Sequence, residues 1–133
     1  MSAQVIWLAS YPRSGNTLLR TILHQSFGLQ SASVYPNDLG GNKELESYVG
    51  QIEHDENRKI HFPDDAIPLI KTHEPPKDES GAVYIVRDGR AACVSLWEFY
   101  GRRQPLEAVI SGKLRWSHIA GQFGSEVKVY SGV

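Results

Sequence analysis

The chain has 133 residues, of which 41% are hydrophobic, 10% aromatic and 22% charged. This balance excludes wholesale disorder, collagen-like sequence and a disulfide scaffold, and predicts a single domain over 1–133. Net charge is −1 and Cys93 is the sole cysteine, so bulk attraction to nucleic acid, an intramolecular disulfide and a multi-cysteine zinc site are not expected.

Val5 to Ala9 is a short apolar run that stops at Ser10-Tyr11-Pro12, the pattern of a buried strand ended by a turn. It is too short for a signal-peptide core or a membrane span, and no cationic segment precedes it. Together with the lone cysteine, this predicts a soluble, cytoplasmic protein with no membrane partner. From Thr17 onward, Leu18, Leu19, Ile22, Leu23 and Phe27 recur at helical spacing, and Gly28 follows as a stop. The first unit is therefore strand, glycine-containing loop, helix.

Residues 29–42 are rich in Ser, Gly, Asn and Pro and read as an irregular connection. Asn42 can cap a helix whose apolar stripe is Leu45, Tyr48, Val49 and Ile52. His54 to Asp65 is polar and reads as exposed. Ala66 to Lys71 predicts a second strand, running into Thr72-His73 and then Pro75-Pro76, and Ala82 to Val86 predicts a third. Asp88 can cap the helix that carries Ala91, Val94, Ser95, Trp97 and Tyr100. Pro105 fits the first turn of a short helix, Trp116 to Phe123 suggests one more, and Val127 to Tyr130 reads as a last strand. Continuous apolar strands alternating with helices predict a three-layer α/β fold, a parallel sheet of about four strands with helices on both faces.

Charge is unevenly spread. Residues 37–65 carry eight acids against three bases, and residues 85–116 carry six bases against three acids. A local cationic patch on a nearly neutral chain suits a small anion better than a polyanion, although scattered solvated charge reads equally well from the counts alone.

Three segments carry candidate chemistry. In Arg13-Ser14-Gly15-Asn16-Thr17, backbone N–H groups at a helix N-terminus favour an anion, Gly15 permits close approach, and Arg13 adds charge. A plain turn with Thr17 as cap competes with that reading. The loop is not a Walker A motif, which needs a glycine-lysine pair before the hydroxyl residue, so magnesium-ATP chemistry is disfavoured. In Lys71-Thr72-His73, a histidine at a strand's C-terminal end can act as general base beside a cation; a surface histidine before a Pro-Pro turn is the bland reading. In Val86-Arg87-Asp88-Gly89-Arg90, Arg87 and the later Ser95 can hold a second phosphate, unless Arg87 only pairs locally. Cys93 reads as a structural thiol, and His24, His54, His61 and His118 as structural or solvated.

Together these segments resemble the sulfotransferases that use 3′-phosphoadenylyl sulfate (PAPS). Tyr11 to Thr17 is similar to their 5′-phosphosulfate loop, Lys71-Thr72-His73 to their catalytic histidine segment, and Arg87 with Ser95 to their 3′-phosphate motif. The resemblance covers only the N-terminal part of the family pattern, without the distal Arg-Lys-Gly loop. It implies a P-loop-like fold, truncated relative to the family, that binds PAPS or its product PAP without a metal. The implied cofactor-binding residues are Arg13, Ser14, Gly15, Asn16, Thr17, Leu18, Arg87 and Ser95, and the implied catalytic residues are His73, Lys71 and Arg13. His73 would deprotonate a hydroxyl or amine of a small-molecule acceptor. Arg13 replaces the more usual Lys, which makes proton donation to the leaving group implausible, and Leu18 replaces an adenine-stacking Trp. Two other functions stay open: a non-catalytic PAP/PAPS-binding remnant or fragment needing a completing chain, and a small P-loop phosphotransferase, against which the absent Walker lysine argues. A sheet strand at the chain end can also leave an edge that promotes self-association.

Overall fold

A computed structural model of the protein describes residues 4–111 and 128–130. The elements run β1 (Ile6–Ser10), α1 (Asn16–Phe27), β2 (Ser31–Ser33), α2 (Lys43–Val49), β3 (Lys59–His61), β4 (Leu69–Thr72), β5 (Ala82–Ile85), α3 (Gly89–Phe99), α4 (Leu106–Ile110) and β6 (Lys128–Tyr130). Four of the strands form one sheet in the order β2-β4-β1-β5. Every pairing in it is parallel, with Ile6 opposite Leu69, Ser10 opposite Ile85 and Ser33 opposite Lys71. The α/β class, with an all-parallel four-stranded sheet flanked by helices, is as expected. Parallel order has one functional consequence: the C-terminal ends of β1, β2, β4 and β5 all open on the same edge.

The helix boundaries follow local chemistry. Gly15 sits at φ 99° just before α1, and Gly28 ends it at φ 68°, both in the left-handed region that glycine adopts without a Cβ penalty. Asn42 Oδ1 accepts the Leu45 N–H at 3.1 Å before α2, and Asp88 accepts the N–H groups of Arg90 and Ala91 before α3. Pro105 precedes α4. The Gly28 stop and the Asn42 and Asp88 caps are those that the sequence predicts, whereas Gly15 rather than Thr17 stands at the N-cap of α1, and Pro105 stands at the N-cap of α4 rather than in its first turn. The expected helix over Trp116 to Phe123 lies outside the described residues.

Several expectations are corrected. Residues 29–42 are not wholly irregular, because Ser31-Ala32-Ser33 is an edge strand of the main sheet and is fully buried. Small polar residues can be buried here because their hydroxyls are paired: Ser31 Oγ accepts from Arg20 Nε at 2.8 Å and Ser33 Oγ from the Tyr35 N–H at 3.1 Å. Nor is His54 to Asp65 simply an exposed stretch. It contains β3, and Ile60 and Phe62 join Ala32 and Ile70 in the core cluster. The last predicted strand, β6, pairs with β3 in a separate two-stranded sheet rather than joining the main one.

The buried face of α1 also differs from its apolar stripe. Leu18, Ile22 and Phe27 are exposed, whereas Asn16 and Arg20, four residues apart, are buried. Arg20 is fully enclosed because acceptors meet it: Ser31, Gln51 at 2.9 Å and Asp38 at 3.2 Å. Paired guanidinium nitrogens thus take a place that periodicity alone assigns to leucine. Likewise β5 is an apolar run whose Val83 and Tyr84 are exposed, because among the described strands it pairs only with β1.

Candidate functional site

The shared C-terminal edge of the sheet gathers the three sequence segments. The loop after β1 passes through Arg13 at φ 63° and Gly15 at φ 99° before entering α1. Apart from Gly15 and its chain neighbours, no heavy atom of the described residues lies within 4 Å of where a Gly15 Cβ would stand, so the backbone there faces open space beside a helix N-terminus. A cleft of about 730 Å³ is lined by this loop (Arg13, Gly15, Asn16 and Thr17) together with Lys71, His73 and Arg87. Segments as far apart in sequence as Arg13 and Arg87 therefore share one space, and among the described residues three cationic side chains line it.

Not every expected residue faces that cleft. Ser14 is buried and lines a smaller hollow of about 130 Å³ with Tyr11 and Arg87. Leu18 is exposed on α1 and does not line the cleft. Asn16 turns its amide inward, donating from Nδ2 to Leu8 O at 2.9 Å and to Ser10 Oγ at 3.1 Å. Its Oδ1 is buried with no hydrogen-bond partner among the described residues. Ser95 joins through Arg13, whose Nε donates to Ser95 Oγ at 3.1 Å while the guanidinium lies 5.0 Å over the Phe99 ring. Arg87 Nη1 donates to the Arg13 carbonyl oxygen at 2.8 Å. Arg87, Arg13 and Ser95 thus form a chain of contacts that ties the loop to α3. Cys93 is half-buried, 4.0 Å from the Tyr11 hydroxyl. Burial, with Cys93 beside it, pushes the Tyr11 hydroxyl up to about 12.

His73 is fixed by two neighbours that the sequence does not single out. Its Nδ1 lies 2.8 Å from the Ser10 carbonyl oxygen. A carbonyl only accepts, so Nδ1 carries the hydrogen and the neutral ring has its lone pair on Nε2. Tyr35 stacks on the imidazole at 5.5 Å between centroids, and the His73 N–H donates to Tyr35 Oη at 3.1 Å. Burial first, and the Lys71 charge second, push His73 down to about 4. At neutral pH the ring is an uncharged acceptor.

Lys71 is also almost buried, and its Nζ donates to both oxygens of Asp38, at 2.8 and 3.0 Å. Burial pulls the lysine below its ordinary value and Asp38 opposes that pull. Asp38 bridges Lys71 and Arg20, a function that its position in a polar connection does not advertise. The available signal is the i, i+4 spacing of Asn16 and Arg20, which marks a polar face on α1.

A second cleft, of about 640 Å³, lies beyond His73. It is lined by the sheet residues Trp7, Ala82 and Tyr84 and by Pro75 and Pro76, and it shares Tyr35 and His73 with the first. The imidazole and the tyrosine ring therefore form part of the wall between a space lined by Lys71, Arg13 and Arg87 and a second one, rich in aromatic side chains, that also carries Glu74, Lys77 and Asp78. Such a wall can place a proton acceptor between an anion and a second reactant. Among the described residues, no group of three His, Cys, Asp or Glu side chains is placed to hold a metal ion, and no helix is long and apolar enough to cross a membrane. Neither a family model, a curated protein nor a solved structure matches this chain.

Proposed function

We propose that this chain transfers a sulfuryl group from PAPS to a hydroxyl or amine of a small acceptor, with His73 as general base. The observation that carries the reading is the position of His73 in the wall shared by the two clefts, with Lys71, Arg13 and Arg87 all on one side of it. The order β2-β4-β1-β5, with the glycine loop following the inner strand β1, supports a P-loop-like reading of the sheet.

The donor set fits a ligand with two separate anionic groups. The Arg13–Thr17 backbone and Lys71 would hold the 5′ side, and Arg87 with Ser95 the 3′-phosphate. Ser95 Oγ accepts from Arg13, and that bond does not use its own hydrogen, which remains to donate. When bound, PAPS supplies the sulfuryl group, and its transfer leaves negative charge on the 5′-phosphate side. Lys71, Arg13 and the loop N–H groups would stabilise that charge. His73 takes the acceptor's proton on Nε2, and the Ser10 carbonyl holds Nδ1–H and so keeps the ring in the correct tautomer. The second cleft, with Trp7, Tyr35 and Tyr84 in its lining and Glu74, Lys77 and Asp78 also in it, suits an acceptor with a flat ring, presented to His73 from the side away from Lys71, Arg13 and Arg87.

Calorimetric titration with PAP, and with ADP as control, tests the reading. Binding that favours PAP is expected, and a subsequent screen of apolar alcohols and amines should give sulfated product that is lost in His73→Ala. No PAP binding up to millimolar concentration would overturn the proposal.

A further inference from the structure

The connection from Tyr35 to Gly40, between β2 and α2, lines the cationic cleft and touches both Lys71 of β4 and His73 just after it. Tyr35 holds His73, and Asp38 holds Lys71. Asp38 is itself anchored, because Arg20 Nη1 lies 3.2 Å from its Oδ2 and Arg20 is fixed in turn by Ser31 and Gln51. The side chains of Arg20, Asp38 and Lys71 are all more than nine-tenths enclosed. Among the described residues, the charged or titratable groups that face Lys71 are Asp38 from this connection, Arg20 from α1, Arg13 from the loop after β1, and His73 just past the end of its own strand, and of these Asp38 alone is an anion.

We infer that Asp38 is the positioning residue that keeps Lys71 charged and holds its ammonium at the cleft, so that a side chain buried beneath the ligand sets the site's capacity for an anion. An ammonium taken out of water and set near two guanidinium groups loses its proton unless a carboxylate compensates. Both carboxylate oxygens face Nζ, which also aims the lysine rather than only neutralising it. In sequence, Asp38 stands among Pro, Asn and Gly residues of an apparently featureless turn. The inference rests on the proposed function only for the identity of the anion.

The test starts without a ligand. In wild-type protein at pH 7, ¹⁵N NMR should show Lys71 Nζ as an ammonium with scalar coupling to the Asp38 carboxylate. A neutral-amine signal would overturn the inference whatever any variant does. In Asp38→Asn the Lys71 titration midpoint, assigned by its absence in Lys71→Arg, should fall by a unit or more, which is about a tenfold loss of proton affinity. Asp38→Glu, which keeps the charge, should restore most of the shift. PAP affinity should then fall with rising pH at a midpoint lowered by the same amount in Asp38→Asn. The double variant Asp38→Asn/Lys71→Arg should lose that pH dependence, because a guanidinium does not deprotonate in this range. An unchanged Lys71 midpoint in folded Asp38→Asn would sink the inference and leave the proposed function standing. Absence of PAP binding in wild-type protein, with the Lys71 midpoint shifted as expected, would sink the proposed function and leave the role of Asp38 standing.

Discussion

The Nδ1 hydrogen of His73 is donated to the main-chain oxygen of Ser10, 2.8 Å away across the seam between β4 and β1. Ser10 is the last residue of β1 and the first before the glycine loop, so one backbone carbonyl links the imidazole to the segment that lines the cationic cleft. The register of the parallel sheet makes this contact possible, since Ala9 lies opposite Thr72. The tautomer of the candidate base is therefore a consequence of strand pairing.

This burial has a measurable cost in acid. Inside the fold His73 titrates at about 4, against an ordinary 6.5 in the unfolded chain. Between those values the unfolded state holds a proton that the folded state lacks, so stability falls as pH is lowered from 6.5 to 4. The full loss is on the order of 3 kcal/mol. Carboxylates such as Asp55 and Asp78, held low by the N–H groups of Lys59 and Ser80, add their own losses only from about pH 4.5 downward. Urea unfolding followed at several pH values should show the slope between pH 5 and 6.5 in wild type. His73→Gln, which can still donate to Ser10, should flatten most of it. An unchanged slope would mean that the imidazole is not the group responsible.

An anion in the cleft should move the same group the other way. Negative charge beside the imidazole favours its protonated form, opposing the burial and the Lys71 charge that hold it down. Histidine NMR titration with and without PAP should place the His73 midpoint higher in the bound protein. A midpoint unmoved by saturating PAP would place the bound anion away from His73.

Burial separates two arginine–aspartate pairs that look alike on paper. Arg20 and Asp38 are enclosed at 0% and 8% side-chain exposure, whereas Arg90 and Asp88 stand at 93% and 54%. Arg20→Ala leaves Ser31 and Gln51 without their guanidinium donor and Asp38 with Lys71 alone, and should cost about 3 kcal/mol. Arg90→Ala removes a pair that water already screens and should cost less than about 1 kcal/mol. Denaturant unfolding of the two variants decides the matter, and equal losses would show that the Arg20 network contributes no more than a surface contact.

These same residues mark where the sequence could and could not be read. The strand–loop–helix unit, the Asp88 cap and the placement of His73 and Arg87 at strand ends are all local patterns, carried by runs of a few residues. The four-stranded parallel sheet followed from them, yet one of its members did not. Ser31-Ala32-Ser33 lacks the branched and aromatic side chains that signal a strand, and its burial depends on hydroxyl pairing with Arg20 and with the Tyr35 N–H. Asp38 was equally hidden, because its partners Lys71 and Arg20 lie 33 and 18 residues away. On α1, hydrophobic periodicity pointed to the wrong face, since a charged side chain with enough acceptors can take the interior position. In each case the missing information is a long-range polar contact, which composition and period do not encode.

Arg87 offers the sharpest division between a ligand contact and a scaffold contact. Its Nη1 donates to the carbonyl oxygen of Arg13, a residue held at φ 63° without the freedom of a glycine. Arg87 therefore both presents a fork of donors to the cleft and steadies the loop that shapes it. If it holds a 3′-phosphate, Arg87→Ala should weaken PAP by about 10- to 100-fold, the worth of one charge-assisted hydrogen-bonded contact, and weaken ADP far less. Arg87→Lys should fall between the two, since it keeps the charge and loses the fork. Because the side chain is exposed, unfolding stability should change by less than about 0.5 kcal/mol in either variant. Equal losses for PAP and ADP would assign Arg87 to the loop alone, and the 3′-phosphate would then need a different partner.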